Sequence, residues 1–266
     1  MRDFSTMNLN GLFKEYSTIW QEFSETGNLC LVDAINSIAE QIVILTQHYY
    51  TCVASKYNQL DRFNMRDFDL ELWDVLNSYI EKNILRLPKA IMMLDAGAGS
   101  GRDLIHATKC GYNITGIDNS RGFSDIVRTH EKNQLIARDS YHICDMRTLI
   151  FPDNSFHVVR YSASLHHLPY TIPTQMVDLA VKEAYRVLKP GGLAYILTPY
   201  GEGIDIIDTG EGLGERFYQL YTKQTLTAVL EDNNFKVLIM ENRTEYRKRC
   251  TLTWILAIAK KNCEQI

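Results

Sequence analysis

The densest chemical signal in this chain is Leu94-Asp95-Ala96-Gly97-Ala98-Gly99-Ser100-Gly101-Arg102-Asp103. Glycines at 97, 99 and 101 let the backbone turn sharply and bring a ligand against bare amides where a helix starts. Nicotinamide enzymes use a related turn, so the glycines alone discriminate little. Asp95, just before them, would repel a nucleotide phosphate but not a cationic amino-acid ligand. Asp118 ends the next apolar run, 23 residues after Asp95, where a carboxylate can accept both hydroxyls of a ribose. Asp145-Met146 ends the run after that, offering a carboxylate to an adenine amine and a flat apolar contact.

This combination resembles the class I S-adenosylmethionine-dependent methyltransferases, particularly the methyltransferase-11-like group. The resemblance covers roughly residues 47–262. It extends to Gly116-Ile117-Asp118-Asn119-Ser120, Cys144-Asp145-Met146, Phe151-Pro152-Asp153-Asn154-Ser155-Phe156, Leu165-His166-His167-Leu168 and the stretch from Glu183 to Gly192. Val53-Ala54-Ser55-Lys56-Tyr57-Asn58 looks like the family's lid helix, with Tyr57 lying 40 positions before Gly97. The resemblance implies S-adenosyl-L-methionine as cofactor and S-adenosyl-L-homocysteine as product. It implies that Ala96, Gly97, Gly99 and nearby amides hold the methionyl portion, with Asp95 supporting the loop or meeting the amino group. Asp118 and Asn119 would then serve the ribose and Asp145 and Met146 the adenine, while Tyr57 closes over the carboxylate and Ser162 lies beside the sulfonium. Two departures stand out. His157 takes the place of a usual Asp, and Tyr161-Ser162 replaces a frequent Ser-Asn pair.

A sulfonium methyl is already activated, so the protein's task is to align a nucleophile and exclude water. An amine acceptor must be neutral, and a hydroxyl of high pKa needs a base. His166 and Tyr161 are the candidate catalytic side chains. Adjacent histidines such as His166 and His167 make a poor chelating pair, and no metal site is expected. Tyr16, Trp20, Tyr200, Glu202 and Arg216 are the candidate acceptor-binding residues, with Asp205, Asp208 and Glu211 in the same cluster. Glycines 201, 203, 210, 212 and 214 would let that segment move over a substrate. The competing reading is a solvated, flexible loop. Leu12 to Trp20 looks like a second lid copy, and the alternatives for it are substrate cover, packing or dimerisation.

The elements that must position these residues follow from periodicity. Helical spacing covers Leu29 to Tyr57 and Asp69 to Leu85, closed by Pro88. Apolar runs and helical stretches then alternate: strands start at Ile91, Asn113, Tyr141, Phe156 and Leu193, and helices at Asp103, after Ser120, at Thr174 and at Lys223. The last runs, Phe235–Met240 and Leu252–Ala259, lack a helix-length connection and are expected to pair antiparallel. The expected fold is α/β: a Rossmann-like, doubly wound, mostly parallel seven-stranded sheet with an antiparallel last strand. Residues 1–46 are expected to form an N-terminal helical cap and 47–266 the methyltransferase domain.

Composition bounds what remains. The chain has 266 residues, 45% of them hydrophobic, and a formal net charge of −4, enough for a sizeable core and too apolar for disorder. Of 15 glycines, only Gly11 and Gly27 precede position 97, which separates a helical first third from a loop-rich sheet. No CxxC occurs among six cysteines, which fits reduced thiols and a cytoplasmic protein. No signal-like segment and no apolar run of about 20 residues is seen, so no membrane role is expected. The expectation is a monomer or homodimer acting on a nitrogen or oxygen of a small-molecule or peptide-like substrate. Nucleic acid is disfavoured by the acidic total, although Arg247-Lys248-Arg249 leaves an RNA-modifying methyltransferase as an alternative. A non-catalytic cofactor-binding partner subunit is the other.

Overall fold

The structure, a computed structural model, describes residues 9–59, 65–129, 135–207, 216–247 and 250–262. Helices α1 (Leu9–Thr26), α2 (Val32–Gln59) and α3 (Asp67–Asn83) precede the sheet. Strands and helices then alternate: β1 (Met92–Ala96), α4 (Arg102–Lys109), β2 (Asn113–Asp118), α5 (Arg121–Thr129), β3 (Tyr141–Ile143), β4 (Phe156–Ser162), α6 (Met176–Val187) and β5 (Leu188–Pro199). A hairpin of β6 (Ile204–Ile207) and β7 (Arg216–Gln219) follows, then α7 (Lys223–Asp232), β8 (Phe235–Tyr246) and β9 (Thr251–Lys261).

The seven-stranded sheet has the order β3-β2-β1-β4-β5-β9-β8. Only β9 runs against its neighbours, pairing antiparallel with both β5 and β8. The strand order reverses between β1 and β4, and in such sheets ligands bind beyond the carboxyl ends of the strands at that switch point. Alternation along β1 decides which face each side chain serves. Leu94 and Ala96 join the core that also takes residues of α1, α2, α6 and α7, whereas Met93 joins the opposite core with α3 and α4.

The N-terminal helices are locked to this sheet by aromatic packing. Phe13 of α1, 2% exposed, stacks on Phe217 of β7 with ring centres 5.2 Å apart. In α2, the Asn36 side chain bonds both the N–H and the carbonyl of Ile172 (2.9 and 2.6 Å), and Gln47 donates to the carbonyl of Asn119 at 2.7 Å. The expected boundary at 46/47 falls inside α2, which is one 28-residue helix. Contrary to expectation, the stretch Leu29–Lys56 is long and apolar enough to cross a membrane by length and composition. Its Ile35, Ile38, Ala39, Ile42 and Val43 are instead buried in the core.

The segment expected as a mobile loop after β5 also differs. Residues 204–207 and 216–219 form a two-stranded sheet, and all four residues of β7 are buried. Gly210, Gly212, Gly214, Asp208 and Glu211 lie outside the described residues.

Candidate functional site

The Gly97–Gly101 loop leaves β1 with Gly97 at φ +86°. A Cβ at Gly97 would lie 2.3 Å from the Cβ of Ser164, so only glycine lets these two backbones approach. Ser164 follows β4 and its hydroxyl donates to the carbonyl of Ala96 at 2.7 Å. Between them Ala163 holds φ 56°, a left-handed conformation that costs a non-glycine residue about 1–3 kcal/mol and marks an over-determined site. The loop amides are not bare. Those of Gly97 and Ala98 donate to the carbonyl of Ile117, at 2.8 and 2.9 Å, and that of Gly99 donates to the Asp118 carboxylate at 3.0 Å.

Asp118 ends β2 half-buried, its carboxylate accepting from the amides of Gly99 and Ser120 (3.0 and 2.8 Å). Burial pushes its pKa up to about 6 against the lowering effect of those hydrogen bonds. Asp118, Asn119, Asp145, Met146 and Ser162 line one cleft together with Gly97 and Gly99. Asp145 shares its oxygens with the guanidinium of Arg147, whose closest contact is 2.8 Å. The empty space of the cleft, open mouth included, is about 1420 Å³. The close-backbone cradle at Gly97, with the Asp118 and Asp145 carboxylates and Met146 in the same lining, fits an adenosyl amino acid.

The other wall of the same cleft adds Tyr50, which the sequence did not single out, to His166, His167 and Arg216, which it did. Tyr50 of α2 lies 2.8 Å from Nε2 of His167, and Nδ1 of His167 lies 3.0 Å from the carbonyl of Phe217. A carbonyl only accepts, so Nδ1 carries the hydrogen and Nε2 accepts from the Tyr50 hydroxyl. Burial, helped by the Arg216 charge, pushes His167 down to about 3, which keeps it neutral. Arg216, 6% exposed, donates to the Tyr50 oxygen and lies over the ring of Tyr218. His166 lines the cleft, stacked on Tyr218 at 4.5 Å, and its Nδ1 is buried without a hydrogen-bond partner.

Several expected site residues lie elsewhere. Asp95 is 3% exposed and points, with Met93, to the far face of the sheet, where it pairs with Arg160. It therefore supports the loop from beneath and does not line the cleft. Ala96 is fully buried and contributes its carbonyl. Tyr161 is a correction: it alternates into the α6 layer, where its hydroxyl donates to the carbonyl of Ala180 at 2.7 Å. Tyr16 is fully buried and donates to the carbonyl of Tyr170 at 2.6 Å, while Trp20 stacks on Tyr170 at 5.4 Å. Tyr200 is 46% exposed, Glu202 is exposed, and neither lines the cleft, whereas Arg216 does. Tyr57 falls in α2, and its side chain is outside the described residues, as are Lys248 and Arg249. Arg247 turns into the cleft and binds Glu245 at 2.9 Å.

Residues 94–196 match the family model described as a methyltransferase domain. The chain is 34% identical over 114 residues to phosphoethanolamine N-methyltransferase 2 of Caenorhabditis elegans, covering 42% of this chain and 24% of that protein. It is 30% identical over 151 residues to 27-O-demethylrifamycin SV methyltransferase of Amycolatopsis mediterranei, covering 50% and 53% respectively. The chain thus spans a quarter to a half of these curated relatives. Among solved structures, an S-adenosylmethionine-dependent methyltransferase from Methanosarcina mazei superposes with a TM-score of 0.55 at 23% identity, covering 70% of this chain and 98% of that one. Residues 94–196 are thus similar to a methyltransferase domain, and the likeness to the Methanosarcina structure shows a shared fold.

Proposed function

We propose that this chain, built around a methyltransferase domain at residues 94–196, transfers a methyl group from S-adenosylmethionine to a nitrogen or oxygen of a small molecule. The observation that carries the reading is the Tyr50–His167 pair, set in the same cleft as the Gly97 loop and Asp118. When bound, the cofactor supplies an activated sulfonium methyl. The protein aligns the acceptor. Neutral His167 accepts the Tyr50 hydrogen and Arg216 donates to the Tyr50 oxygen, which fixes the phenol beside the cleft where it can contact an acceptor's N–H or O–H. Contact with that group orients the acceptor's nucleophilic lone pair, while His167, kept neutral by burial and by Arg216, holds the Tyr50 hydroxyl in place and does not take up the proton. Arg216, donating to the same oxygen, stabilises negative charge there.

Relatives support both target atoms, since one is named for phosphoethanolamine nitrogen and another for an oxygen of a rifamycin. A cytoplasmic enzyme whose N-terminal helices enclose a compact acceptor fits this reading. Arg247, engaged with Glu245 inside the cleft, offers the RNA alternative no support. The test is methyl transfer from radiolabelled S-adenosylmethionine to a panel of small amines and alcohols. Transfer to at least one is expected, with kcat in Tyr50→Phe lowered by about 10²-fold or more and cofactor affinity within threefold. Transfer undiminished in Tyr50→Phe would refute the role of the pair, and cofactor binding without transfer to any member would favour a non-catalytic subunit.

A further inference from the structure

Beneath the cofactor loop lies a buried charge cluster centred on Arg160, which the resemblance does not assign and which does not line the cleft, although its partner Asp103 does. Arg160 sits in the middle of β4, among Val158, Val159 and Tyr161, and is 2% exposed. In the sheet it stands in register with Asp95 of β1 on one side and Tyr195 of β5 on the other. Its Nη1 binds Asp95 Oδ1 at 3.0 Å and its Nη2 binds Asp103 Oδ1 at 2.9 Å. These two carboxylates flank the glycine loop: Asp95 lies two residues before Gly97, and Asp103 two residues after Gly101. The guanidinium is stacked 4.1 Å from the ring of Trp73, whose Nε1 donates to Asp103 at 2.8 Å. Arg160 cannot swing away, and its planar fork spans the two ends of the loop at once.

A central strand could be filled by an aliphatic side chain at this position. A buried ion cluster is weak as a source of stability, since replacing all members by neutral groups is often harmless, while removing one member alone is costly. What such a cluster offers is a fixed geometry. We propose that Arg160 is a positioning residue, which sets the Gly97–Gly101 loop for cofactor by gripping Asp95 and Asp103 at its two ends. This rests on the reading of that loop as the cofactor site. Arg160 does not line the cleft; it acts through Asp95, which holds the end of β1, and through Asp103, which holds the first turn of α4.

The test compares wild type, Arg160→Lys, Arg160→Met and the triple variant Asp95→Asn/Arg160→Met/Asp103→Asn by thermal unfolding and by S-adenosylhomocysteine calorimetry, each well below its own Tm. Arg160→Met is expected to lower Tm and raise Kd at least tenfold. The triple variant, which keeps an acceptor for Trp73 and in which Arg102 loses its Asp103 partner but retains Asp69 at 3.1 Å, is expected to recover most of the Tm while Kd stays at least tenfold raised. Arg160→Lys keeps a charge but cannot bridge both carboxylates, so Kd rises several-fold with little change in Tm. Recovery of both Tm and Kd in the triple variant, or wild-type affinity in Arg160→Lys, overturns the proposal and leaves a merely structural ion cluster. Failure of wild type to bind S-adenosylhomocysteine would instead overturn the cofactor reading beneath it.

Discussion

At Asp118, burial and hydrogen bonding pull against each other, and burial wins, leaving the carboxyl near 6. On the proposed reading a ribose hydroxyl would donate to the ionised form, so binding below that pH would require loss of a proton. Cofactor affinity should therefore be flat above about pH 7 and fall toward tenfold per pH unit below 6. In the free protein the sign is reversed: the folded state holds this proton more tightly than the unfolded chain, so the group's contribution to stability declines as pH rises from about 4 to 6. Calorimetric titration of S-adenosylhomocysteine between pH 5 and 8 checks this; a pH-independent Kd would contradict it. The strand-end acids Asp118 and Asp145 were legible in the sequence because their spacing puts each at the carboxyl end of a strand. The direction of Asp95 was not, because strand alternation and the partner it finds, Arg160, are set by neighbouring strands. Arg160 itself carried a readable signal, a charge amid the apolar run of β4, and so did His157, whose Nδ1 accepts the amide of Met92 at 3.0 Å. Tyr50 carried none that separates it from other aromatic residues, and although His167 stood in a recognisable motif, its pairing with Tyr50 could not be read across 117 positions.

Among elements, α2 ties the N-terminal region to the cofactor side. Its Gln47 holds the carbonyl of Asn119, and its Thr51 and Ala54 pack against Gly122 at the start of α5. A Cβ at Gly122 would lie 2.5 Å from the carbonyl oxygen of Thr51 and 2.8 Å from the Cβ of Ala54, a contact that requires α2 to shift. Gly122→Ala should thus cost about 1–3 kcal/mol through overpacking, outweighing the ~1 kcal/mol that alanine gains over glycine in a helix. A drop in Tm of several degrees, with weaker S-adenosylhomocysteine binding as the Asn119 turn moves, is expected. A variant as stable as wild type would show that α2 does not press on α5 this closely. The sheet strands and their helices were legible because each apolar run has a length and boundary of its own. The β6–β7 hairpin was not, because its glycines read as a loop while Phe217 and Tyr218 are held by rings from α1 and from His166.

Across the whole molecule, one cleft at the switch point of the sheet brings together two walls of different origin. One is the glycine loop with Asp118, Asp145 and Met146, all within the matched domain. The other is assembled from α2, the turn after β4 and the β6–β7 hairpin, through Tyr50, His167 and Arg216. The first wall is local in sequence and follows a shared pattern, so it could be read before the fold was known. The second depends on packing of distant segments, which is why acceptor residues placed by loop position, such as Tyr200 and Glu202, fell outside it. The most direct test of the account is calorimetric titration of S-adenosylhomocysteine and of NAD into wild type and Asp118→Ala at pH 7.5. The account predicts binding of S-adenosylhomocysteine to wild type, its loss in Asp118→Ala and no binding of NAD to either; NAD binding to wild type, or S-adenosylhomocysteine binding undiminished in Asp118→Ala, would contradict it.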